Sequence, residues 1–83
     1  MWANTTAVKK DSATTTGGPS DMRIRQRNDI AQKFMEAHQI PVDDLYQVTS
    51  GHPELHSDDV HFNDQGTTLL ASCVASKVQK LLP

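Results

Sequence analysis

Pro41 and the Gly17-Gly18-Pro19 run cut the chain into pieces whose order constrains the fold more than any other feature of the sequence. Residues 2–8, Trp-Ala-Asn-Thr-Thr-Ala-Val, are rich in side chains that favour extended backbone and predict a short strand. Residues 9–20 hold nothing apolar beyond Ala13 and read as a solvated loop. Ser20 or Asp21 then caps a helix to about His38, with Ile24, Ala31, Phe34, Met35 and His38 mostly at three- and four-residue spacing and Ile30 beside Phe34. Asn28 in its interior is mildly unfavourable, and nothing in the sequence accounts for it. Pro41 disfavours helical geometry at Ile40, so the helix stops before it, and Ile40 and Val42 form a very short extended segment. Asp43-Asp44 can cap a turn of helix carrying Leu45, Tyr46 and Val48. After a polar, histidine-rich loop over residues 49–62, Asn63 or Asp64 caps a last helix to about Leu82. Its stripe is Leu70, Val74, Val78 and Leu81, flanked by Leu69, Cys73 and Leu82. Gly66 in its first turn costs helix stability and implies a close backbone approach. The order is β-α-β-α, the repeating unit of a parallel α/β sheet.

That pattern sits uneasily with the composition. Leu, Ile, Val and Phe make up only about 20% of the 83 residues, so the core is thin. Two short parallel strands are not a stable sheet, because parallel sheets need several strands covered on both faces. One domain over residues 1–83 that either self-associates or belongs to something longer is therefore expected, and the abrupt opening in a strand fits the second.

Charge and hydropathy exclude several classes. Eight basic against ten acidic residues leave no footprint for nucleic acid. Arg23, Arg25, Arg27 and Lys33 are interleaved with Asp21, Asp29 and Glu36, which makes them a solvated helix face. No apolar run approaches a membrane span, and the first residues carry no leader pattern. Cys73 cannot form an internal disulfide and reads as a buried structural thiol.

The informative stretch is Ser57-Asp58-Asp59-Val60-His61-Phe62-Asn63-Asp64-Gln65-Gly66. A carboxylate three residues before a histidine can fold back and accept the imidazole Nδ1 proton. That bond fixes the tautomer and leaves Nε2 as a general base for a serine hydroxyl brought by another segment. A loop after a strand is where α/β enzymes place such groups. A rival reading groups His52, His56 and His61 with Asp58 and Asp59 as zinc or nickel ligands. Their spacing is not a recognised zinc pattern, so His52 and His56 read instead as solvated or cleft-lining. A second rival is a helical interaction module.

Asp58-Asp59-Val60-His61-Phe62-Asn63, followed by Gly66 and Leu69-Leu70-Ala71, resembles the last conserved block of the SGNH (GDSL-type) esterases and lipases. Trp2-Ala3-Asn4-Thr5-Thr6 is similar to a late central strand of that family. Arg27-Asn28-Asp29-Ile30-Ala31 resembles the helix before the last strand, and Ile40 to Tyr46 the lead into the triad loop. The resemblance spans nearly the whole chain except Lys9 to Ser20. It implies a partial flavodoxin-like α/β/α sandwich, the C-terminal β-α-β-α portion of such a domain. It also implies Asp58 as the orienting acid and His61 as the general base of a Ser-His-Asp triad that cleaves a carboxylic ester, with no cofactor. Asp59 stands where the family often has glycine and could compete for the imidazole.

The Gly-Asp-Ser nucleophile block and the Gly-x-Asn-Asp oxyanion block have no counterpart here. None of Ser12, Ser20, Ser50, Ser57, Ser72 and Ser76 has a nucleophile's setting, so the serine is expected from a missing N-terminal half. Losing a triad nucleophile costs on the order of 10⁶ in turnover, so the chain alone is expected to be inactive.

Overall fold

The computed structural model describes residues 1–9, 15 and 18–83. Its elements run β1 (Trp2–Ala3), α1 (Pro19–Ala37), β2 (Val42–Asp43), α2 (Leu45–Thr49), a 3₁₀ turn (Pro53–Leu55) and α3 (Asp64–Leu81). β1 and β2 pair in parallel, Trp2 opposite Val42 and Ala3 opposite Asp43. The result is a small mixed helix and strand domain, consistent with the expected α/β class. Among the described residues no helix is long and apolar enough to cross a membrane.

The strand expected over residues 2–8 pairs over two residues only. β2 cannot extend the ladder, because Asp44 caps α2 by accepting a hydrogen bond from the Gln47 N–H at 3.3 Å. Past Asn4, whose N–H still donates to the Asp43 carbonyl at 3.0 Å, the segment hangs largely on side chains. The Thr5 N–H donates to Asn28 Oδ1 at 2.8 Å, and Asn28 Nδ2 donates to the Thr5 carbonyl at 2.9 Å. Asn28 therefore replaces a strand partner for both backbone groups of Thr5, which is the reason for a polar residue in mid-helix. Further on, the Ala7 N–H donates to Thr49 Oγ1 at 2.9 Å, and the Lys9 N–H to the Asp59 carbonyl at 2.9 Å.

α1 begins earlier than expected, its cap two residues before Ser20 and three before Asp21. Gly18 is its N-cap, with no side-chain cap bond, and Pro19 fills the first position, where a missing N–H costs nothing. Ser20 and Asp21 are buried in the first turn rather than capping it. The Tyr46 hydroxyl donates to Asp21, tying α2 to the start of α1. Burial first, and that bond second, push the Tyr46 phenol up from its ordinary range. The far end closes as a Schellman motif: the Ile40 N–H reaches the Met35 carbonyl at 2.8 Å and the Gln39 N–H the Glu36 carbonyl at 3.1 Å. Gln39 takes the left-handed position with φ 59°, a place that favours glycine.

The apolar stripe expected on α1 turns inward only in part, with Ile24, Ala31 and Met35 half-buried. Ile30 and Phe34 are 71% and 55% exposed, while the side facing the β1 segment carries Asn28 and Gln32. Asn4 Nδ2 bridges Gln32 Oε1 at 2.9 Å and Asp44 Oδ1 at 3.1 Å, and its Oδ1 accepts from the Trp2 indole at 3.2 Å. Among the described residues Ala7 is the one buried apolar side chain; Asn4, Thr15, Asp21, Asn28, Asp43, Thr49 and His56 are buried polar ones. The interior is a hydrogen-bonded one, and Met22, Ile30 and Phe34 on α1 with Leu69, Val78 and Leu81 on α3 remain exposed.

The expected solvated loop over residues 9–20 lies largely outside the described residues. Some of its members depart from that expectation: Thr15 is fully buried and accepts from the Gly51 N–H at 2.6 Å, and Pro19 and Ser20 belong to α1. Cys73 is half-buried and free rather than buried.

Candidate functional site

Residues 55–63 form a small antiparallel hairpin that feeds into α3. Its closing bonds run from the Asn63 N–H to the Leu55 carbonyl at 2.8 Å and from the Ser57 N–H to the His61 carbonyl at 2.9 Å. Between them His56 and Phe62 stand opposite one another as an isolated bridge. Asn63 secures the exit twice. Its Oδ1 accepts from the Gly66 N–H at 2.9 Å as the α3 cap, and its Nδ2 donates to the Glu54 carbonyl at 2.7 Å. Gly66 supplies the close approach its position implied: a Cβ there would lie 2.6 Å from the Leu55 carbonyl oxygen and 3.0 Å from Phe62 Cδ1.

The hairpin tip is organised by Asp58. Its Oδ1 accepts from the Val60 N–H at 2.9 Å and the His61 N–H at 2.7 Å, the geometry by which a short acid closes a turn on itself. The same carboxylate holds the His61 ring, with Nδ1 2.8 Å from Oδ2 and 3.1 Å from Oδ1. Since a carboxylate only accepts, Nδ1 carries the proton, and Nε2 of the neutral ring is left with its lone pair. The His61 N–H, then the Val60 N–H, then the imidazole pull the Asp58 carboxyl down from 3.8 to about 2. Asp59 does not displace Asp58 at the ring; its contribution is a backbone carbonyl that accepts from the Lys9 N–H.

Both members of the pair stand in solvent, with 57% of the Asp58 side chain and 74% of the His61 side chain exposed. From His61 an open apolar groove of about 860 Å³ runs along α3, walled by Thr6, Val60, Phe62, Leu70 and Val74.

The other histidines do not join this pair. His52 lies on the surface with Nδ1 2.9 Å from Glu54 Oε1. His56, expected to be solvated or cleft-lining, is buried, its Nε2 3.0 Å from the Ala7 carbonyl oxygen and its ring tilted against Phe62 at 4.3 Å between centroids. Among the described residues no three His, Cys, Asp or Glu side chains converge as a metal-ligand set. Sequence reasoning missed the burial of His56, whose acceptor lies 49 residues upstream. The only local hint was its place opposite Phe62 across a loop that Asp58 folds back.

Compared with models of protein families and with curated proteins, the chain matches none.

Proposed function

We propose that this chain carries the acid and base of a Ser-His-Asp triad and is the C-terminal portion of an SGNH (GDSL-type) carboxylic-ester hydrolase. The domain to which it belongs is a flavodoxin-like α/β/α sandwich whose remaining strands and serine come from a segment outside this sequence. The observation that carries the reading is the Asp58–His61 bond at 2.8 Å, which presents a proton-accepting Nε2 to open space beside the groove. The apolar side chains left exposed on α1 and α3 support it, since they are the surface a fuller sheet protein would cover.

In that setting His61 Nε2 takes the proton from the serine hydroxyl as its oxygen bonds to the ester carbonyl carbon. Asp58 stabilises the imidazolium that forms. When the tetrahedral intermediate collapses, the same proton passes from Nε2 to the departing alcohol. Water then repeats the sequence on the acyl-enzyme, giving its proton to Nε2 and releasing the acid and the serine. An acetyl ester of a carbohydrate or similar alcohol is the substrate class proposed, with no cofactor, nucleic-acid or membrane partner. Covering the tip with the missing segment would remove the water that now screens Asp58 from the imidazole.

The test is a chimera in which this chain replaces the corresponding C-terminal part of an SGNH esterase. A folded chimera should hydrolyse p-nitrophenyl acetate and lose at least about 10³-fold in turnover on His61→Ala. The 83-residue chain alone should show no turnover. A folded chimera whose activity ignores His61 contradicts the proposal, as does hydrolysis by the isolated chain that His61→Ala abolishes.

A further inference from the structure

We infer that His56 is a positioning residue for the Asp58–His61 pair, a buried imidazole that fastens the base of the catalytic hairpin to the Thr5–Lys9 segment and so fixes where His61 stands. The inference rests on the reading of Asp58 and His61 as acid and base.

Two contacts meet the ring of His56 and a third its backbone. Its Nε2–H donates to the Ala7 carbonyl at 3.0 Å, its face lies on Phe62 with the planes 34° apart, and its backbone bridges Phe62 in the antiparallel hairpin. Phe62 directly follows His61, and the His61 carbonyl is itself one of the hairpin's closing acceptors. A displacement of the His56 ring therefore moves the neighbour of the general base. Gly66 lets α3 press against Phe62 and the Leu55 carbonyl, so the hairpin base is held by α3 as well.

The chemistry of the ring is specific as well. A carbonyl accepts only, so Nε2 must carry the proton, and Nδ1 is then a bare lone pair. That Nδ1 is sealed from solvent and has no partner among the described residues. An unsatisfied buried acceptor is unfavourable. Phenylalanine would remove it and keep the ring contact, but would abandon the bond to Ala7. Glutamine would keep a donor but lose the ring face. Of the three, only the imidazole supplies both contacts, in the tautomer opposite to that of His61 five residues away. One hairpin thus holds two histidines with opposed protonation patterns, His56 facing inward as an anchor and His61 outward as a base.

The experiment is nitrogen–proton correlation NMR of the imidazoles in the full 83-residue chain, at a pH where both rings are neutral. In the wild type His56 should show a protonated Nε2 and a bare Nδ1, and His61 the reverse. In His56→Phe the His61 ring should drift towards the mixture of a free imidazole, in which Nε2–H predominates, while the amide spectrum elsewhere stays dispersed. In His56→Gln, which restores a donor, His61 should recover part of its Nδ1–H population. A folded His56→Phe chain with an unchanged His61 signature overturns the inference. Should both variants unfold, the wild type decides: a His56 ring exchanging between tautomers, or protonated at Nδ1, overturns it, and one locked as Nε2–H supports it. A wild-type His61 that lacks the Nδ1 proton instead removes the triad reading itself, whatever His56 does.

Discussion

The tip and the base of the same hairpin are built by different physics. At the tip, Asp58 and His61 are three residues apart, exposed, and held by bonds that never leave the loop. At the base, His56, Thr49 and Ala7 are buried and joined across 42 to 49 residues of chain. The tip takes its turn from one carboxylate accepting from two backbone N–H groups, while the standing of the His61 ring on that carboxylate depends on the base beneath it. The base exists only when the first residues of the chain lie against the hairpin. The turn is therefore encoded locally while the setting of its imidazole depends on distant contacts, and substitutions in the two regions should behave differently.

The largest contrast should come from Gly66→Ala. On helix propensity alone this change stabilises by about 1 kcal/mol. Here the new Cβ meets the Leu55 carbonyl at 2.6 Å, so we expect a destabilisation on the order of 2 kcal/mol, read from the urea midpoint. A stabilised variant would break the claim that the base is tightly packed. Next, Asn28→Ala exchanges a middling helix former for the best one but leaves the Thr5 N–H and carbonyl without partners. The expected net loss is about 1–2 kcal/mol by the same measurement. Gln39→Gly sharpens the scale from outside both regions: relieving a left-handed side chain at the α1 terminus should add about 1 kcal/mol.

The tip should respond to acid with little change in global stability. Asp58 titrates at about 2 in the folded chain against an ordinary 3.8, so the fold favours its ionised form. Its contribution is complete above the ordinary value and is lost as pH falls through about 2. The Val60 and His61 amide resonances, both bonded to Asp58, should move together across that window. Independent movement would show that the turn is not organised by this carboxylate.

What the sequence disclosed follows the same division. The Asn63 and Asp44 caps, the Gly66 approach and the Asp58–His61 spacing are all matters of four residues or fewer, where residue type and geometry decide. The interior was only partly legible: Ile24, Ala31 and Met35 are half-buried as their spacing implies, but periodicity assumes that every apolar side chain turns inward. Ile30 and Phe34 break that assumption: the segment beyond β1 needed hydrogen-bond partners once its ladder ended, and Asn28 and Gln32 met that need from the face that turns inward. Thr49, His56 and Thr15 were equally hidden, since a polar residue reveals its burial only through a partner that the local pattern does not name.

The most direct test of the account is the protonation pattern of the His61 ring in the wild type and in Asp58→Ala, read by imidazole nitrogen shifts with the ring neutral. The account predicts a proton on Nδ1 in the wild type and reversion to mostly Nε2–H once the carboxylate is gone. A ring already protonated at Nε2 in the wild type, or indifferent to the loss of Asp58, would contradict it.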